Sequence, residues 1–249
     1  MKVVYNEKYK EVYSKDPAAM AGRIESIYDE LYGRFEFVEP IPASEEDLRL
    51  VHTQGHMDAI KRRQLYDNAL LAVGGATKAS ELAVDGESAF ALIRPPGHHA
   101  SPSSCWGFCF FNNVAISVEK LRKNGKVRRA LIVDIDLHYG DGTANIFASS
   151  SEVSYYHMPS GTREEQVERL SDYLAGKKGY DILALSAGFD RHKEDWGGIL
   201  RTTDYERIGK MIRDCTEREC SGRRYAVLEG GYNHSVLGKN AKSLLTGMK

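Results

Sequence analysis

The sequence predicts an α/β fold in one domain, with a mostly parallel central sheet and helices on both faces. Three observations predict it. Short apolar runs rich in β-branched residues alternate with longer stretches of 3.6-residue periodicity, the pattern of βαβ units. The runs ALIVDID (Ala130–Asp136) and DILALSAG (Asp181–Gly188) are apolar on both faces, as strands buried between helix layers are. The 249 residues show no internal repeat, low-complexity linker or abrupt change of composition, so one domain over 1–249 is expected.

The elements follow in order. Lys2–Tyr5 reads as the first strand. Asp16-Pro17 has the form of an N-cap with Pro at the first helical position, and Met20, Ile24, Ile27, Tyr28 and Leu31 form an apolar stripe that stops at Gly33. Ser44 followed by Asp47 resembles a capping box for the next helix. Ala89–Ile93, Ala130–Ile135, Val153–Tyr156, Asp181–Leu185 and Tyr225–Leu228 read as further strands. Thr203 and Asp204 open a helix on which Tyr205, Ile208, Met211, Ile212 and Cys215 share the apolar face.

Composition narrows the function classes. Lys+Arg is 34 against Asp+Glu 35, so no electrostatic draw to nucleic acid or to an anionic membrane is expected. No run of 18 apolar residues occurs, and MKVVYNEKYK carries no apolar signal region, so a cytoplasmic location is the default expectation. Cys105, Cys109, Cys215 and Cys220 are too few for a disulfide scaffold and lack metal-ribbon spacing.

The polar residues concentrate where parallel strands end, which is where α/β sheets bind ligands. One strand runs into Arg94-Pro95-Pro96-Gly97-His98-His99. Another runs into Asp134-Ile135-Asp136-Leu137-His138 and then Tyr139-Gly140-Asp141. The strands ending at Leu185 and Leu228 run into Ser186-Ala187-Gly188-Phe189-Asp190 and Glu229-Gly230-Gly231-Tyr232. In an extended chain Asp134, Asp136 and His138 share a face. Buried together they need a compensating charge; alone, the run also reads as a solvated strand end. Asp136, His138 and Asp190 make a candidate ligand set for a catalytic dication, Zn2+ first, with Fe2+, Co2+ or Mn2+ compatible with two oxygen ligands. His98 and His99, with Asp134 and Asp141 as carboxylate partners, suit proton transfer near neutral pH. Tyr232, after two glycines, is a candidate oxyanion donor, although one tyrosine among 14 is more commonly an ordinary half-buried residue. His52 and His56 lie four apart, but Gly55 interrupts the run and no third ligand is near in sequence.

At RPPGHHA (Arg94–Ala100), GFCFFNNVAI (Gly107–Ile116), LIVDIDLHYGDGT (Leu131–Thr143), SAGFD (Ser186–Asp190) and EGGYN (Glu229–Asn233) the sequence resembles the zinc-dependent histone deacetylase family. That family includes acetylpolyamine amidohydrolases and acetoin-utilisation proteins. The resemblance implies the three-layer arginase/deacetylase-like α/β fold. It implies zinc on Asp136, His138 and Asp190, an acid–base pair His98 and His99 backed by Asp134 and Asp141, and Tyr232 on the oxyanion. It implies Phe108 as a wall of the acyl-lysine channel beside Gly107, with Gly230 and Gly231 on the substrate side. It also implies a K+ ion held by the backbone around Asp134, Asp136 and His138.

The chain departs from the family pattern in places. Tyr139 replaces a second histidine, and Ile60–Leu70 lacks the longer rim loop with its substrate-gripping acid. Met158–Glu165 lacks the aromatic that faces Phe108, and the chain is short for the family. The activity implied is metal-dependent hydrolysis of acetyl (acyl) groups from lysine side chains of a protein or peptide. An amidohydrolase for acetylated polyamines or other small acylated amines is the alternative, and a non-catalytic acyl-amine binder is a third.

Overall fold

The expected apolar runs form strands with small shifts of boundary in a computed structural model that describes residues Met1–Lys249. The strands are β1 (Lys2–Val4), β2 (Glu36–Val38), β3 (Ala89–Ala91), β4 (Ala130–Asp134), β5 (Val153–His157), β6 (Ile182–Ala187) and β7 (Arg224–Leu228). They make one sheet in the order β2-β1-β3-β7-β6-β4-β5. Every pairing is parallel. β3, β4, β6 and β7 are buried along their whole length, as the two-sided apolar runs require.

The helices are α1 (Arg23–Leu31), α2 (Glu45–Leu48), α3 (Gln54–Lys61), α4 (Tyr66–Val84), α5 (Asn113–Lys123), α6 (Asp141–Phe147), α7 (Arg163–Gly176), α8 (Thr202–Cys220) and α9 (His234–Met248). α4 packs on α5 and on β3 and β7, while α8 packs on α9, α7, β6 and β7. The main core is continuous through the sheet. A smaller cluster of Leu48, Met57, Ile60, Val73, Phe110 and Phe111 supports the loop between β3 and α5.

Two local expectations are corrected. Asp16 does cap a helical turn, accepting from Ala18 N at 2.9 Å, but that turn is a separate 3-10 segment, Pro17–Ala19. α1 begins only at Arg23, after Gly22 takes the left-handed φ of 84°. β2 was not foreseen; it is a three-residue edge strand with no fully buried residue, so it carries too little apolar alternation to be read. The Ser44–Asp47 capping box forms as expected.

The topology accounts for the site. β3, β7, β6 and β4 are consecutive neighbours in the sheet. The four polar segments that follow them therefore leave from one edge, side by side.

Candidate metal centre and acid–base cluster

Asp136, His138 and Asp190 come together with one ligand atom each, all within 4.8 Å of one another. Both carboxylates are fully buried. His138 turns Nδ1 toward them, 3.3 Å from Asp136 Oδ1 and 3.0 Å from Asp190 Oδ2. The second approach is close but out of line, so Asp190 Oδ2 has no hydrogen-bond partner. A buried carboxylate oxygen without a partner is costly unless a cation faces it.

The glycines around the group leave room only for these side chains. A Cβ on Gly188 would lie 2.1 Å from Asp136 Oδ2, and one on Gly230 would lie 2.6 Å from the same atom. Gly230 N donates to Asp136 Oδ2 at 2.8 Å, and Leu137 N donates to Asp190 Oδ1 at 2.9 Å. The adjoining carboxylates, Asp136 first and then Asp190, push the His138 pKa up to about 10. The two acids thus demand positive charge at this point, and the donor set fits a dication.

The two histidines sit beside this group in different environments. His98 Nδ1 is 3.0 Å from Asp134 Oδ2, which also accepts from Tyr155 OH at 2.9 Å. Burial works against the charge on His98, but the facing carboxylates of Asp136 and Asp134 outweigh it and raise its pKa well above the ordinary value. His99 Nδ1 is 2.7 Å from Asp141 Oδ1. Burial and the neighbouring His98 charge bring the His99 pKa down to about 4. The pair is thus split into a cationic and a neutral imidazole.

Tyr232 is half-buried and lines the same cavity as His98, His99 and His138. Burial and then the Asp136 charge raise its pKa, so the phenol stays a donor. Its backbone is fixed from below. Asp195 accepts from Tyr232 N and Asn233 N at 2.8 Å each. The fully buried Arg23 donates to Gly231 O at 2.8 Å and Glu229 O at 2.5 Å. Glu229 accepts from Gly97 N and His98 N at 2.7 and 3.1 Å, so one side chain ties the histidine turn to the tyrosine turn. His98, Cys109 and Glu229 also approach one another. There the imidazole faces Asp134 and the carboxylate is occupied by backbone amides.

The cavity measures about 140 Å³, and its mouth differs from the expectation. Gly107 and Gly230 line it, whereas Phe108 and Gly231 do not. Phe108 adopts a left-handed φ of 62° and stacks on Tyr13, with ring centroids 5.9 Å apart. A Cβ on Gly231 would meet Leu237 and Phe189, away from the cavity. The walls are instead Trp106 and Trp196, each more than half exposed, with Asp16 and Pro17. Trp106 lies over His99 at a centroid distance of 3.8 Å, and its Nε1 donates to Asp141 at 2.9 Å.

His52 and His56 form no metal site. His52 Nδ1 pairs with Ser101 O at 3.0 Å, His52 Nε2 accepts from Asn112 N at 3.0 Å, and His56 Nε2 pairs with Phe110 O at 2.8 Å. They pin the loop that carries Trp106 and Gly107. The K+ site expected beside Asp134, Asp136 and His138 also does not fit. The Asp136 carbonyl already accepts from His157 Nε2 at 2.9 Å and from Arg191 Nε at 3.0 Å.

Comparisons with known proteins place the chain in a family. A family model described as the histone deacetylase domain matches residues 18–164 and 167–248. A probable deacetylase of Archaeoglobus fulgidus is 31% identical, the match covering 93% of this chain and 81% of the relative. A histone deacetylase-like amidohydrolase of Pseudomonas aeruginosa is 27% identical, over 86% of this chain and 71% of its own. Among solved structures, the crystal structure of the HDA15 HD domain matches with a TM-score of 0.84 at 25% identity, covering 98% of this chain and 88% of that one.

Proposed function

Since the chain belongs to the histone deacetylase family, we propose that residues 1–249 form one catalytic domain that hydrolyses N-acyl amines with a zinc ion on Asp136, His138 and Asp190. The observation that carries this reading is the convergence of those three ligand atoms within 4.8 Å beside a cavity lined by His98, His99 and Tyr232. When bound, the dication supplies Lewis-acid polarisation of the acyl carbonyl and lowers the pKa of a water.

The chain's own residues supply the rest. His99, neutral and held in one orientation by Asp141, takes the proton of the attacking water through Nε2. Its Nδ1–H stays on the carboxylate, as a general base requires. His98, paired with Asp134 through Nδ1 at 3.0 Å, is the electrostatic partner. Tyr232 OH donates to the oxygen on which negative charge develops. The protonated His99 then delivers its proton to the leaving amine. Trp106 and Trp196 shield His99 and Tyr232 from water.

An acylated lysine side chain is the first substrate reading. The second is a small acylated amine. A space of about 140 Å³ is close to the roughly 150 Å³ that holds one benzene. It takes the acyl amide and a few carbons, so the remainder of the amine lies against the exposed indoles. Kinetics on acyl-lysine peptides, acetylated polyamines and simpler N-acetyl amines, with zinc-reconstituted protein, test the reading. Turnover of at least one class is expected. Ligand binding without hydrolysis of any of them would leave only an acyl-amine binder.

A further inference from the structure

Arg191 follows Asp190 directly and is 1% exposed. Its guanidinium sits among four oxygens from three separate segments. Nε donates to Ile135 O at 3.1 Å and to Asp136 O at 3.0 Å. Nη2 donates to Met158 O at 2.5 Å, and Nη1 donates to Gln166 Oε1 at 2.8 Å. The Asp136 carbonyl takes a second donor from His157. These oxygens come from the ends of β4 and β5 and from α7, while the arginine comes from the end of β6.

A cage of backbone carbonyls is the kind of site that replaces the hydration shell of an alkali cation. Here the centre is filled by a covalently attached cation. A buried charge without partners would be costly. This one has four acceptor oxygens. Only arginine suits the position. Its planar fork presents several donors in fixed directions, and its weaker hydration lowers the cost of burial relative to an ammonium.

We infer that Arg191 is a built-in monovalent cation that sets the backbone of the Asp136–His138 segment, so that this protein needs no alkali ion there. Arg191 touches no reacting atom; it is a positioning residue for the ligand-bearing segment.

The test is thermal unfolding of the full chain in KCl, NaCl and choline chloride at equal ionic strength, for the wild type and for Arg191→Ala. The wild type is expected to melt at the same temperature in all three salts. The variant is expected to melt roughly 5–10 °C lower, the scale of losing charge-assisted hydrogen bonds in a chain of this size. It should regain part of that loss in KCl and not in choline chloride, because the emptied cage then takes the ion. A K+-specific stabilisation of the wild type would overturn the inference, as would a variant that melts like the wild type. If Arg191→Ala does not fold, the salt response of the wild type alone decides, and Arg191→Lys, which keeps charge without the fork, should fold and melt below the wild type.

Discussion

The indole of Trp196 lies flat on the ring of Tyr232, with centroids 4.0 Å apart and planes inclined by 26°. Trp196 N is tied to Asp195 Oδ1 at 2.8 Å, and the other oxygen of Asp195 holds the backbone of Tyr232. One acid therefore fixes both partners of the stack. Tyr232→Phe is expected to cut hydrolysis by at least ~100-fold, the scale of an oxyanion donor. Trp196→Leu should cost roughly 3- to 10-fold in kcat/KM, the scale of one aromatic pair. Equal rates for wild type and Tyr232→Phe in purified, metal-loaded protein would remove the tyrosine from the chemistry.

The ligand cluster predicts a metal effect on stability. A dication that binds only the folded chain stabilises it by mass action. Saturating zinc should raise the melting temperature by roughly 5–10 °C. Asp190→Asn should weaken dication binding by at least ~100-fold in chelator competition. Gly188→Ala should do the same with Asp190 intact, because the new Cβ would stand 2.1 Å from Asp136 Oδ2. Wild-type zinc affinity in both variants would refute the ligand set.

Trp106 acts on His99 in two ways, by covering its ring and by donating to Asp141. Trp106→Phe keeps the ring and removes the N–H. It is expected to lower kcat by a few-fold with little change in KM, whereas Trp106→Leu should lower kcat further. If both variants behave alike, the indole N–H does not contribute.

His52 predicts a pH effect away from the chemistry. Its Nδ1 faces a carbonyl and its Nε2 accepts an amide proton, so only the neutral tautomer fits. Burial, and then the His56 charge, bring its pKa down to about 3 from the ordinary 6.5. Below pH 6.5 the unfolded chain gains a proton that the folded chain refuses. The stability present above pH 6.5 is therefore lost progressively as pH falls toward 3. In a histidine NMR titration the His52 ring should remain neutral down to pH 4; a midpoint near 6.5 would contradict this.

The site was legible because its residues occupy short motifs at strand ends, and neighbouring parallel strands bring such ends together. Asp136 and His138 lie in the bend that follows β4, and Asp190 and Tyr232 lie in the segments that follow the adjacent strands β6 and β7, so their convergence follows from topology. The cavity walls were not legible in the same way. Phe108 was expected in the channel, but its left-handed backbone sends the ring to Tyr13. Trp106 and Trp196 reach the mouth from loops whose paths no periodicity encodes. Arg23 and Arg191 looked like ordinary charged residues, and their complete burial depends on carbonyls from other segments. Among the elements, β2 was missed because a short edge strand carries no alternating apolar face. α1 began later than expected because the Asp16 cap serves its own short turn.

The most direct measurement is acetate release from acetyl-lysine peptides and small acetylated amines by protein carrying one equivalent of zinc, before and after chelation, beside Asp190→Asn. Multiple turnovers on at least one class, loss of activity on chelation, recovery when zinc is returned, and little activity in the variant are expected. A rate unchanged by chelation, or equal in Asp190→Asn, would contradict this expectation.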